Sequence, residues 1–157
     1  MKRLLTIYLM LLGIALCATA QEGLHINEVF EGKLIDREVM RESLIKGESL
    51  ASYKLNVLHT IKFAASSKER ARVDALFTKD MEGNISDDES DMEYESEVEY
   101  VGNFIYYAIV QLTDTKKGRH RYICYQCREK SDHYDITIAY IEGKASLADL
   151  RKTFKKK

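Results

Sequence analysis

An α+β fold follows from three features of this sequence: mainly an antiparallel sheet of about five strands, with helices packed on one face. Residues 53–63 alternate apolar and polar side chains with period two, the mark of a strand with one face in a core. Residues 66–81 switch to helical spacing behind a capping pair. Beyond residue 95, apolar runs follow one another across short polar turns with no helical pattern between them. Hairpins are therefore expected, not alternating βαβ units.

The chain opens with Lys2 and Arg3, an uncharged and largely apolar run over 4–17, and Ala18-Thr19-Ala20 directly before Gln21. A basic head, an apolar centre and small residues ahead of the cut make a secretory signal peptide over 1–20. Cleavage between Ala20 and Gln21 is expected, and the working protein is then exported, periplasmic or secreted. Cys17 offers a competing lipoprotein signal, but the bulky Leu16 stands where a small residue is wanted before a lipidated cysteine. No later apolar run is long enough to span a bilayer. Residues 21–157 have the length of one domain, able to bury a core without disulfides.

Residues 25–30 read as a short helix, with Ile26, Val29 and Phe30 on one side and Gly32 after it. Residues 38–45 read as a strand, and Lys46-Gly47-Glu48 as a hairpin turn. The strand over 53–63 puts Tyr53, Leu55, Val57, His59, Ile61 and Phe63 on its core face. Ser66 with Glu69 is a capping box, and Val73, Leu76, Phe77 and Met81 form the stripe of the helix it opens. Gly83-Asn84 is expected to end that helix.

An acidic stretch near 84–96 follows, holding Asp87, Asp88, Glu89, Asp91 and Glu93. It is expected to be a solvated loop. Its spacing fails as a calcium loop: Met92 stands where the turn glycine is needed and Val98 where a bidentate Glu is needed. From about residue 95 to 112 one strand is expected, with apolar residues on both faces and so covered on both sides. Strands over 119–128 and 134–141 complete the sheet. Gly143 breaks the chain. Ser146 and Asp149 then cap a last helix carrying Leu147, Leu150 and Phe154 on one face, with Lys155-Lys156-Lys157 beyond.

The net charge of the whole chain is −1. The leader holds two of its bases and none of its acids, so the mature chain is more acidic still. That gives no general reason to bind nucleic acid. The chain has no proline, which removes the cis-proline turn that thioredoxin-like enzymes set beside their redox cysteines.

Cys124 and Cys127 are the candidate thiol or disulfide pair, with the spacing of an oxidoreductase motif and an oxidising compartment expected. They fall within a strand, not at a helix N-terminus that would lower a thiol pKa. Residues three apart on a strand are about 10 Å from each other and point to opposite faces. A bulge could still bring them together. With His120 and His133 they make a zinc-competent set in kind, at irregular spacing. His59 reads as a hydrogen-bonded core histidine. The tyrosine-rich strands suit both a core and a binding rim. No local catalytic, phosphate-binding or dinucleotide motif is present.

The closing segment Ile138-Ala139-Tyr140-Ile141-Glu142-Gly143-Lys144-Ala145-Ser146-Leu147-Ala148-Asp149-Leu150 resembles the end of small exported proteins of anaerobic Gram-negative bacteria. Residues 26–30, the strand over 53–63 and Arg121-Tyr122-Ile123 are similar to one such family. These families are known as domains of unknown function. The resemblance implies export and an α+β fold, and it brings no catalytic residues. The expectation is a non-enzymatic exported domain that binds a protein or glycan of the cell envelope, with no catalytic residue, metal or cofactor assigned. A thiol-redox or metal-binding protein using Cys124 and Cys127 is the alternative.

Overall fold

The computed structural model describes residues 23–85 and 95–154. The expected leader, with Cys17 and the Ala20–Gln21 cut, lies outside the described residues, as do most of the acidic stretch and the terminal lysines. The elements in chain order are α1 (Asn27–Phe30), β1 (Arg41–Lys46), β2 (Leu55–Ala65), α2 (Ser67–Ile85), β3 (Ser96–Val101), β4 (Phe104–Leu112), β5 (His120–Glu129), β6 (Tyr134–Gly143) and α3 (Leu147–Phe154). Short 3-10 turns occupy Arg37–Val39 and Glu48–Tyr53.

The strands form one antiparallel sheet in the order β1-β2-β6-β5-β4-β3. The chain leaves the β1–β2 hairpin through α2 and crosses to the far edge at β3. It then returns strand by strand until β6 fills the gap beside β2. The class is as expected, but there are six strands, not five. The run over 95–112 is two strands, because Gly102 takes a positive φ of 60° and turns Val101 back onto Phe104.

The expectation of helices on one face is also corrected. Ile61, Phe63, Ile123, Tyr125, Cys127, Ile136 and Ile138 face α2 and α1, where they meet Val73, Phe77, Val29 and Phe30. The alternate positions Ile109, Tyr122 and Ile141 face the other way and meet Leu147 and Leu150 of α3. Both faces are therefore apolar near the centre, and each carries a helix.

The turn after β1 is longer than a tight hairpin, since the Glu48–Tyr53 3-10 helix intervenes and Lys54 sits at φ 58°. Tyr53 thus leaves the strand and is exposed. A register shift between Leu55 and Val57 inserts Asn56, and this bulge moves Leu55 off the expected face. Leu55 packs with Leu50, Ile141 and Leu147 on the α3 side, while Val57 stays with the α2 side. Gly143 is needed at the same crossing. A Cβ there would lie 2.7 Å from Leu55 Cα and closer still to the Lys54 carbonyl. That carbonyl accepts from the backbone N–H of both Lys144 and Ala145.

Both capping boxes form. Ser66 N–H donates to Glu69 at 2.8 Å and Glu69 N–H donates back to Ser66 Oγ at 3.3 Å. Ser146 N–H and Asp149 N–H exchange the same pair at 3.1 and 3.2 Å. Helix α2 does not stop at Gly83-Asn84 but runs on to Ile85. Asp80 ties α1 to it, accepting from the backbone N–H of His25 at 2.6 Å and Ile26 at 2.8 Å.

Candidate functional site

Helix α3 covers only part of its face of the sheet. Beside it, the register aligns a row of small side chains: Ser43, Thr60, Ala139 and Cys124, each opposite the next on neighbouring strands, with Ile109 beyond. Short side chains between taller neighbours leave a trough running across the strands. One wall holds Leu58 and Ile141. The other holds Thr137, Gln126 and Tyr107. The cavity is about 250 Å³. Five strands at ~4.8 Å spacing make the row roughly 19 Å long.

The α3 wall is fixed by several contacts besides its cap. Tyr122 Oη donates to the Ala145 carbonyl at 3.0 Å. Lys54 Nζ pairs with Asp149 at 3.1 Å, and Arg151 Nε donates to Glu97 at 2.7 Å. Every strand beneath the row except β1 has a partner on both sides. The floor therefore offers side chains, and its backbone groups are engaged in the ladder.

Charge is divided along this face. Arg41 and Lys62 are opposite each other on β1 and β2, on the trough side, next to Thr137. Among the described residues neither forms an ion pair. Glu97 and Glu99 stand at the opposite edge, on β3.

The two cysteines are separated by the sheet. Cys124 is half-buried in the trough floor, while Cys127 is fully buried on the α2 side. Both are free thiols. No bulge interrupts β5 between them, so neither a disulfide nor one metal ion joins them in this arrangement. Burial pushes the Cys124 thiol up to about 12 and the Cys127 thiol up to about 11. Reactive cysteines need the opposite shift.

The histidines scatter. His120, at the start of β5, lies 3.1 Å from Asp114. His133, in the turn beyond the other end of that strand, lies against Asp132 and Asp135. His59 is buried on the α2 side with Nε2 2.6 Å from Glu42 and its ring against Phe30. Among the described residues, no three His, Cys, Asp or Glu side chains converge as a metal site.

The α2 side holds a buried polar cluster of its own. Asp74 accepts from Tyr125 Oη at 2.5 Å and from Arg70 at 2.7 Å, and the Arg70 guanidinium lies over the rings of Phe104 and Tyr134. These groups pair with one another inside the core, and among the described residues Arg70 Nε is left without a partner. A second cavity of about 250 Å³ lies beside His25, Lys79, Asp80 and Arg121, and two of these polar groups are already engaged. Asp80 holds α1 and Arg121 donates to Tyr140 Oη. The trough differs in having a mostly apolar exposed lining and no covering element among the described residues.

Sequence reasoning singled out Cys124 but missed the rest of the trough. Thr60, Ala139 and Ser43 are unremarkable one by one. Only their alignment in register makes a groove. Alternation along each strand gives the face, and nothing in it gives the neighbour.

Comparison with known families matches residues 13–154 to a family of unknown function (DUF6108). No curated protein and no solved structure matches the chain.

Proposed function

Since the chain belongs to that family of unknown function (DUF6108), its reading rests on its own geometry, and we propose that it is an exported, non-enzymatic binding domain whose trough takes an apolar group. The observation that carries this is the uncovered, mostly apolar cavity over Cys124, with Leu58 and Ile141 on one wall and Thr137, Gln126 and Tyr107 on the other. Small-molecule sites are concave and mostly apolar, usually about 300–1,000 Å³. A cavity just below that range suits one chain or ring of a larger partner. A glycan fits poorly, because most of the exposed lining is apolar and would leave many of its hydroxyls without partners. A protein of the cell envelope could reach the trough with an apolar side chain.

The test uses a neutral apolar fluorophore, N-phenyl-1-naphthylamine. Its emission should rise and saturate on addition of the protein. Ala139→Phe, which fills the floor between Thr60 and Cys124, should remove that rise while leaving a cooperative melting transition. An equal response from wild type and Ala139→Phe would refute the trough as the binding site.

A further inference from the structure

We infer that the occupant of the trough is a single alkyl chain bearing an anionic head, a monomeric fatty-acid-like carboxylate, with the head on Arg41 and Lys62. This rests on the apolar-binding role proposed above and specifies its ligand.

Hydrogen bonding favours an alkyl chain over a peptide. The floor crosses β2, β6, β5 and β4, whose backbone groups are paired on both sides. A peptide laid across them would leave its own N–H and C=O groups without partners from the floor, at a cost of the order of 1–3 kcal/mol for each buried group. Peptides add to sheets at edges, where the ladder is open. An alkyl chain has no such groups to satisfy.

The shape of the trough suits a chain. The row of small side chains is narrow and runs across the strands, bounded by Leu58 and Ile141 on one wall and by Thr137, Gln126 and Tyr107 on the other. An extended methylene chain matches a narrow apolar channel of that kind.

Charge selects the head group. Like charges directly opposite on neighbouring strands repel. Arg41 and Lys62 hold that position on the trough face, and among the described residues no carboxylate pairs with either. The nearest acid of that face, Asp135, pairs with Lys130 and His133 instead. An anion held by this pair, beside Thr137, would relieve the repulsion. This cationic pair stands at the β1–β2 end of the row, so the chain has one favoured direction.

The experiment is isothermal titration of the purified exported protein at pH 8. The ligands are decanoate, decanol and decyltrimethylammonium, each below its aggregation threshold. Decanoate should bind one to one and the cationic chain least. Arg41→Gln with Lys62→Gln should weaken decanoate about tenfold and leave decanol within about twofold. These residues are exposed, and their loss removes a repulsion, so the fold should persist.

Equal binding of all three chains, unchanged in the double variant, would overturn the anionic head while leaving the apolar site standing. Loss of every alkyl ligand together with the naphthylamine response would overturn both readings. Binding of an acidic leucine-bearing peptide or of phosphatidylglycerol vesicles, without binding of monomeric decanoate, would overturn the ligand class. A dimer in sedimentation velocity that Ala139→Phe dissociates would show that a second copy fills the trough, and would overturn it too.

Discussion

At the residue scale, the same strand places two cysteines in different roles. Cys127 fills the core beside Tyr125, and Cys124 keeps the trough floor low. Both thiols are held protonated at neutral pH by burial, and each suits packing better than nucleophilic chemistry. The buried carboxylate Asp74 gives a sharper prediction. Burial raises its pKa above the ordinary 3.8, against the lowering effects of Tyr125 and Arg70. The folded chain therefore holds this proton at pH values where the unfolded chain has lost it. Its contribution to stability is complete below the unfolded value and is lost as pH rises through the folded one. Between pH 7 and pH 4, the stability difference between wild type and Asp74→Asn should shift in favour of wild type. Urea unfolding of both at the two pH values measures this, and a shift toward the variant would contradict it.

At the scale of elements, the crossing of β2, β6 and α3 decides where the trough wall stands. The bulge at Asn56 sends Leu55 to the α3 side, and the Lys54 carbonyl takes two N–H donors from the segment entering α3. Gly143 makes that approach possible. Gly143→Ala would drive a methyl into the Lys54–Leu55 backbone, and backbone gives way less easily than a side chain. Overpacking of this kind costs typically 1–3 kcal/mol. Chemical denaturation should show a loss of about that size, and an unchanged midpoint would mean that the crossing is looser than described.

Much at this scale was legible. Both capping boxes stood in the sequence as Ser66 with Glu69 and Ser146 with Asp149. Alternation placed His59, Ile61 and Phe63 correctly. The bulge was not legible, because a one-residue insertion leaves the local pattern unchanged and shows only against the partner strand. Gly83 misled for a related reason: a glycine can sit inside a helix at a modest cost, about 1 kcal/mol against Ala.

At the scale of the whole molecule, the return of β6 between β2 and β5 builds the site. It sets Ala139 between Thr60 and Cys124, which are far apart in sequence and never neighbours by local pattern. The sheet's two apolar faces were foreshadowed in the run Phe104–Leu112, apolar on both sides, yet strand order lies beyond what periodicity encodes. The proposed function therefore requires that the α3 face of the sheet bind through its open trough and that the α2 face not bind. Methyl NMR during titration with decanol tests it most directly. The predicted result is a saturable shift of the Leu58, Ile109, Ala139 and Ile141 methyls, with those of Val29, Val73 and Ile136 unmoved. Shifts centred on the α2 face, or spread evenly over both, would contradict it.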